Sequence, residues 1–398
     1  MSDTTLVSLQ EKAGVEWFDY QLETLIKSEG QAGPSQRLCL YYKTGAGKTL
    51  TALALTALWG HSEVLVVAPP STHDQWGKAG AQLGIEVEAI SHAKFRRQDT
   101  KLSRTKAVIA DEFHLFGGHN GQGWKKLDKL AMHLKAPMVL ASATPNYNDA
   151  ERVYCIQHVL DPHSVKGGYL AFLYANCITE ENYFGRMPKV TGFRNHQDAA
   201  SYLAALPKVA YLKDDLVYKI HDTPIHSVVP VALEKFGYNK RAGRIIASQM
   251  EERHALVNLA MVSDYGRLYD YLYDVVAAQV ESQATPTLIF AAHATIAEAV
   301  GVSLWKHKVN NAVLTGGCTT KQKQFILDRF MKSEYQVLVG TAALATGTDG
   351  LDKVCDSLLI LDDTDDDALR RQLIGRIMPR GVDSTSSHTK YVQRLVLS

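Results

Sequence analysis

Short apolar runs alternate with stretches of helical composition along the first 165 residues. Residues 38–42 form one such run, followed by a glycine-containing turn and a helix-like stretch at 50–59. Further runs lie at 64–68, closed by Pro69-Pro70, at 106–110, followed at once by two acids, and at 137–141. Continuous apolar strands separated by helices predict a parallel sheet covered on both faces. The pattern changes near residue 165. Residues 166–230 are rich in Tyr, Asn, Lys and Asp, contain Pro188, Pro207, Pro224 and Pro230, and alternate only weakly. A helix is expected there around 198–206, and residues 236–281 read as mostly helical. Strand-like runs return at 287–290, 312–315, 336–340 and 357–361, which predicts a second parallel-sheet domain. The expected organisation is therefore α/β: a first domain over 1–165, a mixed connector over 166–235 and a second domain over 236–398.

Composition narrows the class. The 398 residues hold 43 Lys plus Arg against 42 Asp plus Glu, and 46% are hydrophobic. That excludes a disordered chain, a collagen-like chain and a coiled-coil rod. With a net charge of +1, any nucleic-acid surface must be a local patch. No apolar run approaches the ~18–20 residues of a membrane span. Cys39, Cys155, Cys177, Cys318 and Cys355 are far apart and form no Cys-x-x-Cys pair, so neither a zinc site nor a disulfide framework is expected. The opening Met1-Ser2-Asp3-Thr4-Thr5 lacks a basic-then-apolar leader pattern, and a reducing, cytoplasmic setting is expected.

Lys43-Thr44-Gly45-Ala46-Gly47-Lys48-Thr49 follows a strand-like run and opens a helix-like one, the context of a phosphate loop. The N–H groups of Gly45, Ala46 and Gly47 can crowd phosphate oxygens at a helix N-terminus. Lys48 can reach the β- and γ-phosphates, and the Thr49 hydroxyl suits Mg²⁺. The full pattern wants glycine five residues before Gly47, where Tyr42 stands. A glycine-rich strand-to-helix turn without a ligand would use the same residues.

Asp111-Glu112-Phe113-His114 places two acids at the end of an apolar strand, where open α/β sheets bind their ligands. Asp111 suits a bound Mg²⁺, and Glu112 suits polarisation of an attacking water. The same pair also suits a helix N-terminus. Six basic residues against one acid make 91–106 either a solvated face or a phosphate contact. The run 362–367 reads as a loop and N-cap before a helix over 368–378, and the histidines other than His114 read as ordinary surface or core residues.

With these motifs in order, the chain resembles superfamily 2 helicases and translocases, which have two RecA-like domains. Asp111-Glu112-Phe113-His114 matches the Asp-Glu-x-His box, Ser142-Ala143-Thr144-Pro145 the Ser-Ala-Thr segment, and Phe18-Asp19-Tyr20-Gln21 the upstream glutamine motif. The resemblance implies that Gln21 reads the adenine edge, although a surface helix would also accommodate it. Residues 66–76, ending in Gln75-Trp76, resemble a Swi/Snf-type motif, and Ile90-Ser91-His92 resembles a following one. Both imply contacts to a sugar-phosphate backbone, through Ser71, Thr72 and Ser91. Parts of the connector are also similar to the Swi/Snf type, with Tyr211 where an arginine is usual.

In the second half, Leu314-Thr315-Gly316-Gly317 and the Thr-x5-Gly-x-Asp spacing of Thr341, Gly347 and Asp349 resemble further family segments. They imply phosphate contacts from Thr315 and Thr341 and a nucleotide edge at Gly347 and Asp349. Gln372-Leu373-Ile374-Gly375-Arg376 matches the sixth motif, whose arginines act on the γ-phosphate. The second arginine is displaced by one residue: Pro379 stands in its place, and Arg380 follows. The minimal two-domain build is similar to phage-encoded helicases, which would place it in a host cytoplasm.

The resemblance implies an ATP- and Mg²⁺-dependent DNA helicase or translocase. Lys48, Glu112, Arg376 and Arg380 would be catalytic, and contacts to DNA sequence-independent. A monomer without membrane association is expected. An RNA helicase, a binding module with a decayed ATPase site, and the motor subunit of a larger nucleic-acid-processing complex are the alternatives.

Overall fold

The computed structural model describes residues 6–14, 16–29, 36–43, 45–97, 106–143, 150–182, 187–212, 220–225, 273, 276, 280, 285–345, 350–362, 367–378 and 390–397. Contacts divide the chain into two compact units, Met1–Asp215 and Leu216–Ser398.

In the first unit, helices α1 (Leu6–Ala13) and α2 (Asp19–Ser28) precede β1 (Arg37–Tyr42). Then come α3 (Lys48–Leu58), β2 (Glu63–Val67), α4 (His73–Leu83), β3 (Glu86–Ile90), α5 (His92–Arg97) and β4 (Ala107–Asp111). They are followed by α6 (Gln122–Met132), β5 (Met138–Ser142), α7 (Ala150–Leu160) and α8 (Gly168–Asn176). An antiparallel pair, β6 (Cys177–Glu180) and β7 (Lys189–Phe193), precedes α9 (Ala199–Ala204) and β8 (Val209–Leu212). The main sheet is wholly parallel, in the order β3-β2-β4-β5-β1-β8.

Alternate residues of each central strand serve opposite cores. Val108 and Ala110 of β4 join the cluster beneath α6 and α7, while Ala107 and Ile109 join the one beneath α3 and α4. Burial on both faces is why these strands read as unbroken apolar runs. The stretch from 166 to 212, expected as connector, packs within this unit: Phe172, Leu173, Cys177, Phe193 and Tyr202 belong to its core, and β8 pairs with β1. The expected helix near 198–206 is α9, capped by Asp198, whose carboxylate accepts from the Ser201 N–H at 2.7 Å.

In the second unit, β9 (Ile220–Ile225), β10 (Thr287–Ala291), α10 (Ala294–Lys306), β11 (Asn311–Leu314), α11 (Thr320–Met331), β12 (Val337–Gly340), β13 (Ser357–Asp362), α12 (Asp367–Ile377) and β14 (Tyr391–Leu397) are described. Their sheet is again wholly parallel, β11-β12-β10-β13-β14-β9. Leu288 and Phe290 face one core, Ile289 and Ala291 the other. Two α/β units, each with a covered parallel sheet, match the RecA-like architecture expected of the chain. Most of 236–281, expected as helical, lies outside the described residues. No described helix is long and apolar enough to cross a membrane.

Candidate active site

In the first unit, β1 and β4 end at the same edge of the sheet, because all its strands run parallel. From β1 the chain turns through Gly45 (φ 78°) and Gly47 (φ 72°) into α3. These are left-handed conformations that glycine adopts without strain. Tyr42, at the position where the full phosphate-loop pattern has glycine, is still in β1 and needs no such freedom. Its ring is buried, and its hydroxyl shares a 2.5 Å hydrogen bond with Thr24 Oγ1. Lys48 Nζ donates to the carbonyls of Tyr42 and Lys43, both at 3.2 Å. Thr49 is half-buried in the first turn of α3, and Thr44 is outside the described residues.

Gln21 is 4% exposed and turned onto this loop. Its Nε2 donates to Thr51 Oγ1 at 2.9 Å and to the Ala46 carbonyl at 3.4 Å, and its Oε1 accepts from the Phe18 N–H at 3.1 Å. The Tyr20 hydroxyl also donates to the Ala46 carbonyl at 3.2 Å. The glutamine expected to read a base thus clamps the Gly45–Gly47 turn in this structure. Sequence reasoning missed its partner Thr51, which lies 30 positions away.

Asp111 closes β4 and is buried. Burial first, and then the neighbouring charge of Glu112, push its carboxyl up to about 7, while the Lys48 ammonium opposes that shift. Trp76 Nε1, on α4, donates to Asp111 Oδ2 at 3.3 Å. Glu112 has φ 47°, unusual for a residue with a side chain. It stands at the N-cap position of the short 3₁₀ helix Phe113–Phe116 but gives that helix no side-chain hydrogen bond. Its Oε2 is buried without a hydrogen-bond partner. The nearby His114 Nδ1, at 3.4 Å, is close enough for an ion pair but not in hydrogen-bond geometry, so the missing hydrogen bond stands. His114 Nδ1 is 3.1 Å from Ser142 Oγ, joining the Asp-Glu-x-His box to the Ser-Ala-Thr segment; Thr144 and Pro145 are outside the described residues.

Two carboxylates beside one ammonium, an orphaned carboxylate oxygen and a hydroxyl at Thr49 make a hard-oxygen set that suits Mg²⁺. Asp111 and Thr49 are the residues that would hold it.

The candidate backbone contacts differ in readiness. Ser71 and Thr72 lie in the turn Pro70–Thr72 before α4, and Thr72 Oγ1 donates its proton to the Pro69 carbonyl at 2.9 Å. It can give a phosphate a hydrogen bond only by releasing that carbonyl. Ser91 Oγ accepts the Lys94 N–H at 3.1 Å and keeps its own proton to donate. The basic stretch after it divides: Lys94 and Arg97 are exposed, Lys106 sits on Glu88 at 3.2 Å and near Glu63, and Lys101 and Arg104 are outside the described residues. His92, read from sequence as ordinary, is buried, and its Nε2 lies 2.9 Å from the Asp111 carbonyl oxygen.

In the second unit, Thr315 follows β11 and is half-buried, whereas Thr341 follows β12 and is 8% exposed. Arg376 is buried, its Nε and Nη2 donating to the Ala345 carbonyl at 3.0 and 2.5 Å. Lys323 Nζ donates to the Ala343 carbonyl at 2.7 Å, and its ammonium is pushed down to about 8, by burial first and then by Arg376. Gly347, Asp349 and Arg380 lie outside the described residues, as does most of the acidic run before α12.

Residues 267–381 match the family described as the helicase conserved C-terminal domain. No curated protein matches the chain. Among solved structures, the helicase domain of Hef from Pyrococcus furiosus is similar at 15% identity and a TM-score of 0.47, over 98% of this chain and 97% of that one. The chain therefore carries, over residues 267–381, a stretch of helicase C-terminal type.

Proposed function

We propose that the protein is an ATP-dependent helicase or translocase of superfamily 2 acting on DNA. The observation that supports this most is the convergence, at one edge of the first parallel sheet, of the Lys48 ammonium and the half-buried Glu112 carboxylate on the buried Asp111. The helicase-type stretch at 267–381 supports it independently.

In this reading, the N–H groups of Gly45, Ala46 and Gly47 and the ammonium of Lys48 hold the β- and γ-phosphates. An arriving phosphate replaces the Tyr42 and Lys43 carbonyls as acceptors for Lys48. Thr49 and Asp111 would hold a magnesium ion, which would neutralise phosphate charge there. The orphaned Oε2 of Glu112 accepts the proton of the attacking water. Arg376 is assigned to the charge that develops on the γ-phosphate, with Arg380 as a lesser second cation; Gly347 and Asp349 are assigned to the nucleotide edge. Ser71, Thr72, Ser91, Thr315 and Thr341 are assigned to the sugar-phosphate backbone, where contacts position the strand without reading sequence. The chain acts as a monomer.

ATPase rates against single-stranded, duplex and forked DNA and against RNA test the proposal. Stimulation by DNA above RNA supports it. Stimulation by RNA alone makes the protein an RNA helicase, and the absence of ATP turnover with every ligand refutes the catalytic reading.

A further inference from the structure

Two ring N–H groups from different helices meet on Asp111. Trp76 Nε1 approaches the carboxylate, 3.3 Å from Oδ2. His92 Nε2 approaches the backbone carbonyl oxygen of the same residue at 2.9 Å. A carbonyl oxygen only accepts, so that nitrogen bears the proton. Both side chains are buried, and both are far from Asp111 in sequence, 35 and 19 positions.

Each donor stands at the start of a helix that opens from a candidate backbone-contact loop. Trp76 lies in the first turn of α4, directly after the Ser71-Thr72 turn, whose fold is tied by Thr72 Oγ1 to the Pro69 carbonyl. His92 opens α5 beside Ser91, whose Oγ accepts the Lys94 N–H. A second set of contacts ties α5 to the residues after Asp111. The His92 ring meets the Phe116 ring edge-on at 4.9 Å, and Arg96 Nη1 donates to the Leu115 carbonyl at 3.3 Å. Neither loop can shift by much without moving its ring N–H relative to Asp111, because close-packed interiors transmit small displacements.

We propose that Trp76 and His92 are positioning residues that couple nucleic-acid engagement at the Ser71-Thr72 and Ser91 loops to the orientation of Asp111. This inference rests on the proposed function. Trp76 holds the carboxylate oxygen, and His92 holds the backbone from which it projects. Nucleic acid that seats both loops fixes both ends of the aspartate, and the site then turns over ATP faster. Neither residue touches nucleotide.

The test compares wild type with Trp76→Phe, His92→Leu and His92→Gln, measuring ATPase with and without DNA, half-saturating Mg²⁺, DNA affinity and nucleotide affinity. Phe and Leu fill most of the space without an N–H, and Gln returns one. The DNA-stimulated-to-basal ratio should fall roughly ten- to a hundredfold in Trp76→Phe, the range for loss of a hydrogen bond to a charged group, and roughly two- to tenfold in His92→Leu, the range for loss of one to a neutral carbonyl. The Mg²⁺ requirement should rise in Trp76→Phe, DNA affinity should stay within about twofold in all variants, and His92→Gln should recover stimulation. A ratio that stays at the wild-type value in folded Trp76→Phe and His92→Leu overturns the inference. So does a fall in DNA affinity parallel to the fall in stimulation, which would make both residues merely structural. Should Trp76→Phe fail to fold, the His92 pair decides alone, since Gln returns an N–H donor that Leu lacks. A wild type whose ATPase ignores nucleic acid sinks the proposed function itself, whereas a stimulated wild type with indifferent variants sinks only this coupling.

Discussion

Replacing Gly47 by alanine probes the clamp between α2 and the Gly45–Gly47 turn. A Cβ at residue 47 would lie 2.5 Å from Gln21 Nε2, with nothing else nearer than Gln21 Cδ at 3.7 Å. The backbone there has φ 72°, so alanine adds a left-handed strain of ~1–2 kcal/mol. The clash itself is relieved by swinging the Gln21 amide away. That breaks its bonds to Thr51 Oγ1 and the Phe18 N–H, each worth ~0.5–1.5 kcal/mol net. The sum is ~2–5 kcal/mol for Gly47→Ala. For a unit of this size that lowers the melting temperature by roughly 4–20 °C. In a Gln21→Ala background only the backbone strain remains, ~1–2 kcal/mol. Calorimetry of the four proteins in this double-mutant cycle should therefore show a coupling of about 1–3 kcal/mol. An equal cost in both backgrounds would show that Gln21 does not hold the loop, and no cost in either would refute the left-handed turn.

Other outcomes follow from the same geometry. Glu112→Gln should bind Mg-ATP normally but hydrolyse it very slowly, because an amide cannot accept the proton; failure to bind nucleotide would make Glu112 a holding residue instead. Arg376→Ala should cut turnover by ~10³ with nucleotide affinity nearly kept. It should also destabilise the second unit by ~1–3 kcal/mol, since the buried Ala345 carbonyl loses its donors; denaturant melts read this directly, and unchanged turnover would remove Arg376 from the chemistry. Lys323, lowered to about 8, binds a proton in the unfolded chain but not the folded one between pH 8 and 10.5. Stability of wild type relative to Lys323→Met should therefore rise with pH across that window, by ~1–3 kcal/mol, in denaturant melts; a flat difference would place the ammonium in solvent. DNA affinity should fall with a log–log salt slope of ~0.7–0.9 per phosphate contacted, with little sequence preference, and a flat response would argue against backbone contacts.

The central strands were legible because burial on both faces makes them contiguous apolar runs. The edges were not. Glu86-Val87-Glu88-Ala89-Ile90 forms β3 at the margin of its sheet, with Glu86 and Glu88 exposed, and carries no continuous run. Val209–Leu212 forms β8, only half-buried, and is held by pairing with β1 rather than by its own pattern. Tyr211, which the resemblance sets where an arginine is usual, packs its ring 4.9 Å from that of Tyr41. The same lack of pattern let 166–212 read as a connector although its apolar residues complete the first core.

Residue type and spacing made the glycine turn, the lysine and the paired acids legible, since each states its chemistry locally; the roles attached to them come from the resemblance. Which of these groups meet was decided only by the tertiary structure. The bonds from Trp76 and His92 to Asp111, from Gln21 to Thr51 and from His114 to Ser142 span 35, 19, 30 and 28 positions. Periodicity tells a strand which face to bury, but not which neighbour it will have. Parallel pairing in the order β3-β2-β4-β5-β1-β8 brings the carboxyl ends to one edge, and only there do a tryptophan, a histidine and an aspartate become one site.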